Sequence, residues 1–165
     1  MKLLNSAAIA LAITAASLGL ASTAMARTSD HVAALQAAKI DLNQAIQAAQ
    51  TQHGLKVIDI ELEHKKQQAV YEIKGATAQG EKVKLKLNAA DGQVLEHKPD
   101  GKLDTKDSER LAAAKISLSD AVAAATKAQP GRAFEAELSQ HLGTVSYSVK
   151  LIKADAGTWV LDGTN

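Results

Sequence analysis

The chain contains the same stretch twice, and this constrains its fold more than any other feature. Ala37 to Tyr71 returns as Ala113 to Tyr147 with no insertion between paired positions. Ala37-Ala38-Lys39-Ile40 matches Ala113-Ala114-Lys115-Ile116, Leu42 matches Leu118, Ala45-Ile46 matches Ala121-Val122, Glu61-Leu62 matches Glu137-Leu138, and Tyr71 meets Tyr147. A repeat of this length holds a small module rather than one turn of a solenoid, which points to duplication of a folding unit.

The repeated stretch opens with helix signals. Asp41 stands where an N-cap side chain accepts backbone N–H bonds, with Gln44 as its capping-box partner; Ser117 and Asp120 repeat the device. Leu42, Ala45, Ile46 and Ala49 then share one helical face, while Asn43, Gln44, Gln47 and Gln50 point away. Gly54 stops the first helix, and Pro130-Gly131 stops the second.

Beyond the stop the apolar period changes from helical to alternating, which signals strands. Ile58, Ile60 and Leu62 face one way and Asp59, Glu61 and Glu63 the other. Lys65 to Gln68 is a polar turn, Val70 to Lys74 a second strand with Tyr71 and Ile73 inward, and Gln79-Gly80 the next reversal. In the third strand Val83, Leu85 and Leu87 alternate with Lys82, Lys84 and Lys86, and Asp91-Gly92 turns the chain before Val94-Leu95. The second copy offers Phe134, Ala136 and Leu138 inward, Glu135 and Glu137 outward, then Val145, Tyr147 and Val149, then Trp159 and Leu161. Its last strand runs into Asn165 and is expected to be short, with an open edge.

A helix with one apolar stripe and strands with one apolar face bury both by stacking. The expected fold is therefore α+β, with two tandem small modules, each a helix packed on a three-stranded antiparallel sheet. Residues 27–96 form the first module and 110–165 the second. The charged stretch 97–109, poor in apolar periodicity, reads as a linker. Before the first capped helix, Arg27 to Asp30 reads as a flexible lead and His31 to Ala38 as a short helix capped by Asp30; Ser108 to Leu111 mirrors it in the second copy.

Residues 1–26 have the pattern of a signal peptide: Lys2, an apolar run from Ala7 to Leu20, and Ala24-Met25-Ala26 as a small-x-small site with cleavage after Ala26. The run is interrupted by Thr14, Ser17 and Gly19 and is short for a bilayer crossing. With no cysteine there is neither a lipid-accepting residue nor a disulfide framework. A periplasmic or secreted protein is expected, with no membrane attachment after the leader is removed. Loss of Lys2 reduces the 19 basic residues by one, to balance the 18 acidic ones, so no field of one sign draws the chain to nucleic acid or an anionic membrane.

Each copy resembles a PepSY domain, the small module of thermolysin-type metallopeptidase propeptides and of many secreted bacterial proteins. The first copy carries the resemblance in Lys39-Ile40-Asp41-Leu42-Asn43-Gln44-Ala45-Ile46, Gly54, Ile60-Glu61-Leu62, Val70-Tyr71-Glu72-Ile73 and Asn88-Ala89-Ala90-Asp91-Gly92-Gln93-Val94-Leu95. The second carries it in Lys115-Ile116-Ser117-Leu118-Ser119-Asp120-Ala121-Val122, Pro130-Gly131, Ala136-Glu137-Leu138 and Val145-Ser146-Tyr147-Ser148-Val149. The resemblance implies a helix on a curved antiparallel sheet, a role in binding or restraining secreted peptidases, and no catalytic residues.

His31, His53, His64, His97 and His141 have no spacing specific to a metal, and Glu63 and His64 point to opposite faces of a strand, so neither metal nor cofactor is expected. No nucleophile motif or phosphate loop is present, and the chain is not expected to be an enzyme. The candidate binding surface is Asp59, Glu61, Glu63, Glu135 and Glu137, with Tyr71 and Tyr147 at its rim; the plainer reading is a solvated sheet face over two core tyrosines. Two functional classes follow. One is a binding module for a secreted or envelope peptidase, acting through an edge strand. The other is an envelope stress-related protein that takes a small ligand or metal cation on its acidic strand face. A purely structural or accessory role is a third possibility, and nothing in the chain indicates an oligomeric state.

Overall fold

The structure, a computed structural model, describes the backbone of residues 11–14, 23–153 and 158–164 and the side chains of residues 29–153. In chain order the elements are β1 (Leu11–Thr14), α1 (Thr23–Ala37), α2 (Leu42–His53), β2 (Lys56–Lys65), β3 (Gln68–Ala76), β4 (Glu81–Asn88) and β5 (Val94–Lys102). There follow α3 (Thr105–Ala113), α4 (Leu118–Ala128), β6 (Arg132–His141), β7 (Thr144–Ile152) and β8 (Thr158–Thr164). The fold is α+β, built from two helix-and-meander modules.

The capped helices form for the local reasons expected. Asp41 accepts from the Gln44 amide and Gln44 Oε1 accepts from the Asp41 amide, both at 2.8 Å. Ser117 and Asp120 make the equivalent exchange, each at 3.1 Å. Such a cap stabilises a helix by about 1 kcal/mol. The two C-termini differ. Gly54 takes the left-handed conformation at φ 64°, which glycine adopts without a Cβ clash. Gln129 is instead extended at φ −137°, as the residue before a proline must be.

The strands form one antiparallel sheet of eight, in the order β1-β8-β7-β6-β2-β3-β4-β5. The two meanders join edge to edge where β2 pairs with β6, and that seam has three register pairs: Asp59 with Glu137, Ile60 with Ala136, and Glu61 with Glu135. Both strands bulge at the same place in their own hairpins, at Val57/Asp59 and at Ala133/Glu135. The helix-covered face carries a single core in which Ile60, Leu62, Tyr71, Leu85, Ala136 and Leu151 are fully or almost fully buried. At roughly 1.5–3 kcal/mol for each large aliphatic side chain so buried, this continuous core is the main source of stability in a chain with one tryptophan and one phenylalanine.

Four expectations require correction. The stretch 97–109 is no loose linker: β5 runs to Lys102 along β4, and α3 follows from Thr105. The first module therefore has four strands rather than three. Asp30 lies inside α1, which starts at Thr23 and passes through the expected cleavage site, so it caps nothing and Arg27 to Asp30 is helical. The last strand of the second copy is present, and its far edge is paired with β1, inside the expected leader. The remaining leader residues lie outside the described ones.

Candidate functional site

The outer face of the sheet assembles the five acidic residues singled out from the sequence. Glu61 faces Glu135 and Asp59 faces Glu137 across the seam, and Glu63 continues the row on β2. Like charges directly opposite one another on a sheet are destabilising unless neutralised. Lysines from the flanking strands do this. Lys74 on β3 reaches Asp59 at 2.6 Å, and Lys150 on β7 reaches Glu135 at 2.7 Å. Lys65 contacts Glu63 and also binds Glu72 at 2.6 Å, while Lys86 links Glu72 at 3.3 Å to Glu96 at 3.5 Å. The face is a lattice of ion pairs that mostly neutralise one another.

Glu61 is the member held differently. Burial pushes its carboxyl above the usual range, and Glu135 and Glu63 push it the same way, against an opposing pull from His31. His31 comes from α1: its Nε2 lies 3.9 Å from Glu61 Oε1, its Nδ1 donates to the Leu62 carbonyl at 3.0 Å, and its ring packs on Phe134 at 4.4 Å. Glu72 shows the opposite outcome. Burial raises it, but the hydrogen bonds from Lys65 and Lys86 prevail and hold it below the ordinary glutamate value.

Tyr71 and Tyr147 do not belong to this surface. They are 0% and 4% exposed, on the helix-covered face. Tyr71 Oη donates to the Ile40 carbonyl at 2.8 Å and Tyr147 Oη to the Ile116 carbonyl at 2.5 Å, tying the middle strand of each copy to the turn before its capped helix. Burial pushes the Tyr71 hydroxyl well above its ordinary range, so it remains a donor.

Three further features escaped the sequence reading. Arg132, at the start of β6, donates to the Leu35 and Ala38 carbonyls at the end of α1, joining the second module to the first. Beside it a cavity of about 530 Å³ opens among Leu35, Leu42, Tyr71, Val122 and Lys127. At the far edge of the sheet β5 has one neighbour, β4, and presents Val94 and Leu95, 46% and 47% exposed. Among the described residues no group of three or more histidine, cysteine or acidic side chains is placed to hold a metal, and no helix is long and apolar enough to cross a membrane.

Fold and surface together define a tandem, sheet-forming module whose polar face is largely neutralised by its own ion pairs. The family models for "peptidase propeptide and YPEB domain" match residues 10–98 and 115–163, and the chain belongs to this PepSY family. Among solved structures, a "putative lipoprotein" from Clostridium difficile 630 is similar at 23% identity, with a TM-score of 0.43, over 71% of this chain and 81% of that one. No curated protein matches.

Proposed function

We propose that this protein is an exported, non-enzymatic binding module that holds or restrains a secreted or envelope peptidase through the free edge of β5. The observation that carries the reading is β5 itself. Nine residues of extended chain have one side of their backbone open, next to two exposed apolar side chains. An open edge of this kind supplies main-chain hydrogen bonds to an extended segment of a partner, and flanking apolar side chains add selectivity. Lys98, Pro99 and Lys102 at the far end of the strand discourage unlimited pairing with further copies. Membership of a family that includes peptidase propeptides supports a peptidase as the partner.

The acidic strand face is the weaker alternative as a small-ligand or cation site, because Asp59, Glu63 and Glu135 already hold lysines. The test is proteolysis of casein by the native secretome with and without purified protein, alongside a Val94→Lys/Leu95→Lys variant. The wild type should slow cleavage and retain a peptidase on co-purification, and the variant should do neither. An unchanged rate with no retained peptidase would remove the reading.

A further inference from the structure

His53 and His97 lie 44 residues apart in sequence (97 minus 53), yet their rings stand 5.5 Å apart, tilted by 35°. His53 ends α2. His97 lies on β5 opposite Leu85, a core-facing residue, so its side chain is on the side of the sheet that α2 covers. His53 Nε2 is buried and has no hydrogen-bond partner. A buried imidazole nitrogen without a partner is disfavoured unless something completes its bonding. We propose that this pair is a surface site for a divalent transition ion of the imidazole-preferring class, such as copper, nickel or zinc, with water in the remaining positions.

The geometry suits such an ion. Two imidazoles that share a tetrahedral ion at about 2.0–2.1 Å per nitrogen place their ring centres about 5 Å apart. The site sits at the C-terminal end of α2, where unpaired carbonyls favour positive charge. His97 is exposed, which leaves an entry path and room for water ligands.

The duplicated scaffold does not need these histidines. The second copy has Gln129 where the first has His53. The site is thus an addition to the first copy, apart from the acidic face. Oxygen-preferring ions such as calcium have no carboxylate among the two ligands and are excluded by class.

Calorimetric titration of untagged protein with copper(II), nickel, zinc and calcium tests this, together with His53→Gln, His97→Gln and a His64→Gln control. His53→Gln installs the residue the second copy tolerates, which protects folding. One ion per chain should bind, copper tightest in line with the general order of divalent affinities, with calcium silent. Either site variant should weaken binding at least tenfold, and the control should leave it unchanged. The copper(II) electron paramagnetic resonance spectrum of the wild type should show coupling to two imidazole nitrogens. Equal binding by all variants, no binding of any of the three ions at millimolar concentration, or a spectrum without two imidazole nitrogens would overturn the proposal.

Discussion

Ser119 donates its hydroxyl to Asn43 Oδ1, and the two residues, 76 positions apart, occupy the same place in the two copies. Ile60 and Ala136 repeat this relationship in the sheet, for they are also equivalent by the repeat and face each other in register. A residue meets its own counterpart only on a two-fold axis, so a local dyad passes between α2 and α4 and through the seam of β2 with β6. The copies associate as the halves of a symmetric dimer do, by the same patch on each side. On the axis a large side chain would collide with its twin, and Ile60 against Ala136 resolves this by size.

The dyad contact predicts a compensating pair. Ile60→Ala should cost about 2–5 kcal/mol through the cavity it leaves, and Ala136→Ile about 1–3 kcal/mol through overpacking. The double exchange restores the volume and should cost at least about 1 kcal/mol less than the sum of the two singles. Urea denaturation of the four proteins measures this coupling. Strict additivity would mean that the two side chains do not pack as a pair.

The tyrosines predict matched losses in the two copies. Tyr71→Phe and Tyr147→Phe each remove one hydroxyl donor and leave a carbonyl, Ile40 or Ile116, without it. A loss of about 1–2 kcal/mol is expected for each, with no change in the far-ultraviolet circular dichroism spectrum. Negligible loss at either position would show that its hydroxyl does not hold the pre-helix turn.

Glu61 predicts a stability gain with a definite pH sign. Its folded-state value is raised, so the protonated form is favoured by folding, and this contribution is present in acid and lost as pH rises through the raised value. At neutral pH the charged carboxylate faces Glu135 and has Glu63 and Asp59 as neighbours, with Lys74 in partial compensation. Glu61→Gln should therefore stabilise the protein at pH 7 and lose that advantage toward pH 4. With the side chain 40% exposed, solvent screening limits the gain to about 0.5 kcal/mol. Thermal melts of both proteins across this range provide the check, and a gain that grows in acid would have the wrong sign.

Where the sequence was legible, the signal was local and repeated. The capping boxes at Asp41 and Ser117, the alternation through Ile60 and Leu62, and the lysine row on β4 each report their own element without help from the rest of the chain. The stretch from Val94 to Lys102 was opaque because an edge strand exposed on both faces has no reason to alternate. The union of the two meanders was equally hidden. It depends on three register pairs, two of them between carboxylates that would repel without Lys74 and Lys150 from neighbouring strands. Alternation alone puts the acidic residues of β2 on the outer face, whereas the recurrence of the tyrosines reflects a shared bond to the pre-helix turn rather than a place at the rim of that face. His53 and His97 gave no signal because only the path of β4 and β5 brings them together.

Two β-hairpin tips, equivalent by the repeat, carry residues that their backbone does not favour. Lys66 and Gln67 take φ of 49° and 64° between β2 and β3, and Leu142 and Gly143 take 48° and 80° at the equivalent turn between β6 and β7. Two positive φ values in succession define a tight hairpin turn for which Asn-Gly is the preferred pair. Leu142 departs furthest from that preference, a branched side chain in the left-handed region and 92% exposed, so its replacement removes no packing. Leu142→Asn should stabilise the protein by about 0.5–1 kcal/mol, and Gln67→Gly, which copies Gly143 into the first hairpin, should do likewise. A rise in melting temperature of about 1–4 °C for each is the expected reading. A fall on Leu142→Asn would mean that the leucine makes a stabilising contact, and its exposure at the tip would then have to be satisfied by another molecule.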